Sequence, residues 1–135
     1  MELTHIEHIG IAVKNLDESI KYYETVLGLK CYALEEIKDQ KVKTAFFMIG
    51  QTKLELLEST EPDGPIGKYI EKKGEGIHHI AFATNNLKDA LNEAGSKGII
   101  LIDKEPRKGA EGLSIAFLHP KSTGSVLTEL CENQK

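Results

Sequence analysis

A chain of 135 residues, 40% hydrophobic and 28% charged, has the composition of a soluble globular protein with apolar mass for one core. Its net charge of −4 and the lack of a periodic Lys/Arg face exclude nucleic-acid binding, which phosphate neutralisation dominates. No apolar run reaches the roughly 20 residues that span a bilayer, and Met1-Glu-Leu-Thr4 lacks the basic and apolar regions of a signal peptide, so the expected location is the cytoplasm.

In chain order, residues 5–13 alternate and then turn apolar, as a strand does. Asn15 is a helix N-cap with Glu18 completing a capping box, and Leu16, Ile20, Tyr23 and Leu27 keep helical spacing up to Gly28. Tyr22 and Tyr23 are read as helix residues, with Tyr23 facing the core. Strands are expected over 29–37, 42–49 and 53–57, the last two joined by a tight turn at Gly50-Gln51. Pro65, the apolar face of Ile66, Tyr69 and Ile70, and Gly74 predict a short connecting helix over about 64–74. A strand over 77–84, a helix capped by Asn86, and strands near 99–103, 113–119 and 125–131 follow. The turn-rich segment 105–112 is placed to close over a ligand. Cys31 and Cys131 are read as reduced, partly buried thiols.

The order of elements repeats because the sequence does. Sliding the chain by 71 positions puts His8 on His79, Asn15 on Asn86 and Ala45-Phe46 on Ala116-Phe117, and an offset of 74 puts Glu55 on Glu129. The expected fold class is α+β: one domain over 1–135 made of two tandem βαβββ modules, about 5–59 and 77–132, forming one curved sheet cleft. His8 shares its strand face with Gly10 and Ala12, and His79 with Ala81 and Ala83, small residues that leave room beside each imidazole. A lone histidine in an apolar strand is more often a hydrogen-bonded core residue. Four matched positions are different, because packing gives a repeat little reason to keep a carboxylate among apolar strands. If a pseudo-twofold axis relates the modules, His8, Glu55, His79 and Glu129 converge on one divalent ion (Co, Ni, Mn or Zn) with positions open for substrate oxygens.

The remaining polar residues receive blander readings. His5, His78 and His119 are core or surface histidines, and Glu7, Glu58 and Glu132 are solvated strand faces or ends. Arg107, Lys108 and Lys121 fall in loops bordering the opening, where cations suit an anionic substrate.

Paired βαβββ modules carrying His8-Ile-Gly-Ile-Ala-Val13 and His78-His-Ile-Ala-Phe82 resemble the vicinal oxygen chelate superfamily of glyoxalases, epimerases and dioxygenases. Leu54-Glu-Leu-Leu-Glu58, Gly74-Glu-Gly-Ile-His-His-Ile-Ala-Phe82 and Ala116 to Leu130 are most similar to its methylmalonyl-CoA epimerases. That resemblance implies an acyl-CoA thioester substrate and epimerisation at carbon 2 by proton abstraction through a metal-bound enolate. Glu55 and Glu129 are then the catalytic bases, Arg107 and Lys121 the substrate-binding cations, and a homodimer the expected assembly. Some epimerases carry glutamine where this chain has Glu55 and a further carboxylate near Thr44. Both departures keep glyoxalase I, with the same His/Glu/His/Glu set, as an alternative beside a metal-free binding module of the same fold.

Overall fold

The computed structural model describes residues 1–133; Gln134 and Lys135, the end of the expected 1–135 domain, lie outside the described residues. The chain runs β1 (Leu3–Ala12), α1 (Leu16–Thr25), β2 (Ala33–Ile37), β3 (Val42–Ile49), β4 (Thr52–Ser59), α2 (Pro65–Lys73), β5 (Gly76–Thr84), α3 (Leu87–Ser96), β6 (Arg107–Lys108), β7 (Ser114–Leu118) and β8 (Thr128–Glu132). Two βαβββ runs thus flank α2. The residues cluster into two compact units, His8–His78, and Met1–Glu7 with the chain from His79 onward. The opening segment therefore belongs with the second repeat, where Thr4 Oγ1 donates to the Ala83 carbonyl at 3.3 Å.

In the first unit the strands lie in the order β2-β3-β4-β1, with β1 and β4 parallel and the others antiparallel. Asn15 caps α1 by accepting from the Glu18 N–H at 3.0 Å. One sheet face packs Val13, Leu16, Ala45, Phe47 and Leu56 with Ile20 and Tyr23 of α1. Tyr23 lies 5.5 Å from the Phe47 ring, and burial, then the neighbouring Tyr22, pushes its hydroxyl above the usual range. The other face carries Ala12, Val42 and Leu57 beneath Ile66 of α2. Each fully buried Phe46, Phe47 or Leu56 contributes about 1.5–3 kcal/mol.

The second unit repeats the plan as β5-β8-β7-β6. Leu87, Ala90, Leu91 and Ala94 of α3 cover Ala116, Leu118 and Leu130, and the opposite face gathers Ala81, Ala83, Ile115 and Cys131. Neither cysteine is in a disulfide; Cys131 is buried and Cys31 half-buried.

Three expectations about elements need correction. The strand expected over 29–37 begins only at Ala33. Before it the backbone serves the helix end: Leu29 N–H donates to the Tyr23 carbonyl and Cys31 N–H to Glu24 Oε2, both at 3.1 Å. No strand forms over 99–103 beyond a single bridge, Leu101 to Leu118. There the Asp103 carboxylate takes the Phe117 N–H at 2.9 Å, the donor a ladder would have used. Residues 107–108, read as loop, instead pair with β7, which ties down the segment expected to move over a ligand.

Glu58 and Glu132 are not solvated strand ends. Glu58 Oε1 accepts from the Leu16 N–H at 2.5 Å, and Glu132 Oε1 from the Leu87 N–H at 2.6 Å. Each carboxylate thus meets a bare amide at the positive end of a helix. Glu132→Ala should cost about 1–2 kcal/mol, read as a lower urea midpoint at unchanged slope; an unshifted midpoint would show that the contact contributes nothing.

Candidate metal centre and its surroundings

Each unit buries one imidazole against one carboxylate. In the first, His8 on β1 and Glu55 on β4 are 3% and 4% exposed, with Nδ1 and Oε2 3.2 Å apart. The parallel register sets Gly10 opposite Glu55, so His8, two residues earlier on the same face, leans toward that carboxylate over a residue with no side chain. In the second, His79 on β5 and Glu129 on β8 have Nε2 and Oε1 3.2 Å apart, and Ala81 is the small residue opposite Glu129. The repeat reproduces the strand register as well as the residue types.

Such a pair suits a cation. Two ligand bonds of about 2.0–2.2 Å meeting near a right angle put donors about 3 Å apart, and a neutral imidazole with a carboxylate oxygen is an ordinary donor set for first-row divalent ions. Both pairs fit that requirement. Burial makes an ion the more favourable partner, since a carboxylate withdrawn from water needs a positive charge or several hydrogen bonds.

Around the second pair, Phe117 is in register with Glu129 and meets the His79 ring edge to face, with centroids 5.5 Å apart. The Arg107 guanidinium sits 5.5 Å from the centre of the Phe117 ring, with Nε donating to Asp103 Oδ1 at 2.9 Å. Its register with Ile115 puts Arg107 on the Glu129 face of the sheet. Lys108 is exposed on the alternate side of the strand. Lys121 is exposed in a 3-10 turn, where its backbone N–H donates to His119 Nδ1 at 3.0 Å.

The other histidines have local roles: His78 meets Tyr69 edge to face at 4.8 Å, and His5 Nδ1 lies 3.0 Å from Thr4 Oγ1. Glu7, expected in solvent, is buried at 9% exposure. Sequence reading missed the two phenylalanines that stand opposite the glutamates, Phe46 to Glu55 and Phe117 to Glu129. The signal was present, because the offset that matches the histidines also matches Ala45-Phe46 with Ala116-Phe117.

The model of the Glyoxalase/Bleomycin resistance protein/Dioxygenase superfamily matches residues 7–117. The chain belongs to that superfamily. Its α+β fold of paired βαβββ modules is the vicinal oxygen chelate fold. The superfamily relatives include the uncharacterized Bacillus subtilis protein YqjC, 45% identical over 130 residues and 96% of this chain and 93% of that one. Human mitochondrial methylmalonyl-CoA epimerase is 34% identical over 129 residues, covering 95% of this chain and 73% of the relative. Among solved structures, a variant of Streptomyces coelicolor methylmalonyl-CoA epimerase in complex with 2-nitronate-propionyl-CoA superimposes with a TM-score of 0.95 at 38% identity, over 99% of this chain and 100% of that one. Among the described residues no helix is long and apolar enough to cross a membrane.

Proposed function

We propose that the chain is a divalent-metal-dependent methylmalonyl-CoA epimerase whose ion is held by His8, Glu55, His79 and Glu129. The observation that carries this reading is the recurrence of a buried His–Glu pair at 3.2 Å in both repeats of a chain with methylmalonyl-CoA epimerases among its relatives. A bound divalent ion supplies fixed positive charge beside the acyl oxygens.

The chain's own residues do the rest. One glutamate of the Glu55/Glu129 set removes the proton from carbon 2, leaving a planar enolate, and the other, in its acid form, returns a proton to the opposite face. Inversion needs two groups on two sides, and a duplicated module provides them. A carboxylate engaged with a cation is a weakened base, so the glutamate that takes the proton would have to be free of a bound ion. The apolar walls of Phe46 and Phe117 beside the two glutamates keep bulk water off the enolate while it stands. Arg107, on the Glu129 face, and Lys121 meet the anionic parts of the thioester.

The test is proton NMR of methylmalonyl-CoA in heavy water with the Co(II)- or Mn(II)-loaded protein against a chelator-treated control. Ion-dependent loss of the carbon-2 proton is the expected result. An ion-loaded protein that leaves this proton in place would overturn the epimerase reading. Retention of glutamate at position 55 favours a second reading, isomerisation of the methylglyoxal–glutathione hemithioacetal as in glyoxalase I, which the same sample tests next.

A further inference from the structure

Thr44 is fully enclosed, at 0% exposure, yet its Oγ1 has no hydrogen-bond partner among the described residues. A hydroxyl withdrawn from water without a partner destabilises a fold, so its presence asks for a reason other than packing.

Its position suggests one. β3 pairs Phe46 with Glu55 and Thr44 with Leu57, and alternation puts Thr44 on the Glu55 face of the sheet. Diagonal neighbours on one face have Cβ atoms roughly 7 Å apart, so an oxygen of a molecule held at Glu55 comes within reach of the hydroxyl. Neither register partner, Glu35 on β2 nor Leu57 on β4, bonds the hydroxyl.

The second repeat shows what packing alone would choose. The offset of 71 that matches the histidines sets Thr44 on Ile115, and the register is the same, Ile115 opposite Cys131 beside Phe117 opposite Glu129. Ile115 is buried and so closely covered that a Cβ on Gly109 would stand 2.8 Å from its side chain. An aliphatic residue therefore satisfies this place in the fold.

We infer that Thr44 is a substrate-positioning residue, its hydroxyl donating a hydrogen bond to an oxygen of the anionic acyl group whose proton moves beside Glu55. This rests on the proton-transfer function proposed above. A threonine hydroxyl is no base near neutral pH, so the role is donation. A donor aimed at an oxygen that gains negative charge acts most strongly as the charge grows, and its removal lowers kcat more than it alters KM.

The experiment compares T44V and T44S with the wild type, all loaded with the same divalent ion, in Tm and in steady-state kinetics on methylmalonyl-CoA. For T44V the inference expects a Tm equal to the wild type or up to about 5 °C higher and a kcat lower by about 10- to 100-fold, with KM changed by no more than about threefold. T44S, which keeps the hydroxyl, should recover most of the lost kcat. A T44V enzyme with wild-type kcat overturns the inference, and so does one that loses Tm and kcat together, because the hydroxyl would then be structural. A wild type inactive on methylmalonyl-CoA defeats the proposed substrate instead. The same kinetic ratio is then read on the hemithioacetal, where a wild-type-like T44V, or a wild type inactive there too, overturns the role of Thr44.

Discussion

Glu129→Gln is expected to lower carbon-2 proton exchange by about 10²- to 10⁴-fold, the contribution of a positioned acid or base, while leaving the fold in place. The amide has the shape of the carboxylate and keeps one oxygen to face His79, now 3.2 Å from Glu129 Oε1. It cannot take up a proton near neutral pH. Glu129 is buried among Ala81, Phe117 and Cys131, so a neutral amide of equal volume causes little strain, and urea unfolding should move by less than about 1.5 kcal/mol. Exchange measured by NMR and bound ion measured on the same sample separate the two roles given to this residue. Lost exchange with the ion retained supports a base; wild-type turnover would sink the mechanism.

His79→Ala should act on the ion first. It removes a neutral nitrogen donor, and loss of a ligand costs more than the roughly 10- to 100-fold in affinity typical of groups that only orient ligands. The ion content of dialysed protein should fall well below that of the wild type. The change also opens a cavity under Phe117, whose ring contacts the imidazole at 5.5 Å, at a cost of about 2–4 kcal/mol. A His79→Asn variant, with a polar group in less space, guards against mistaking unfolding for lost affinity. His78→Ala is the control: it gives up an edge-to-face contact with Tyr69 worth about 0.5–1.5 kcal/mol and should keep its ion. An ion lost from His78→Ala and kept by His79→Ala would mean that the two side chains have exchanged roles.

The caps of α1 and α3 were legible because they are local: Asn15 and Asn86 each accept from the N–H three residues on, as their spacing predicts. The expected faces of β1 and β5 follow equally from alternation, with Gly10 and Ala81 marking the small side of each histidine strand. Glu58 and Glu132 were misread for the opposite reason. Their partners, the Leu16 and Leu87 amides, lie 42 and 45 residues away in sequence, and nothing at that separation announces itself in a local pattern. Asp103 misled in the same way, since an apolar run ahead of it reads as a strand until its carboxylate takes the Phe117 amide.

By itself, then, the sequence determined two βαβββ runs around a short helix and matched one histidine and one glutamate in each, because periodicity, capping and duplication are written along the chain. Only the tertiary structure decided that Met1–Glu7 joins the second repeat, that each histidine rests 3.2 Å from the glutamate of its own repeat, that Arg107 lies over Phe117, and that the enclosed Thr44 hydroxyl has no partner among the described residues. Those outcomes depend on strand register and on contacts between residues distant in the chain, and register is selected by the packing of whole faces against one another.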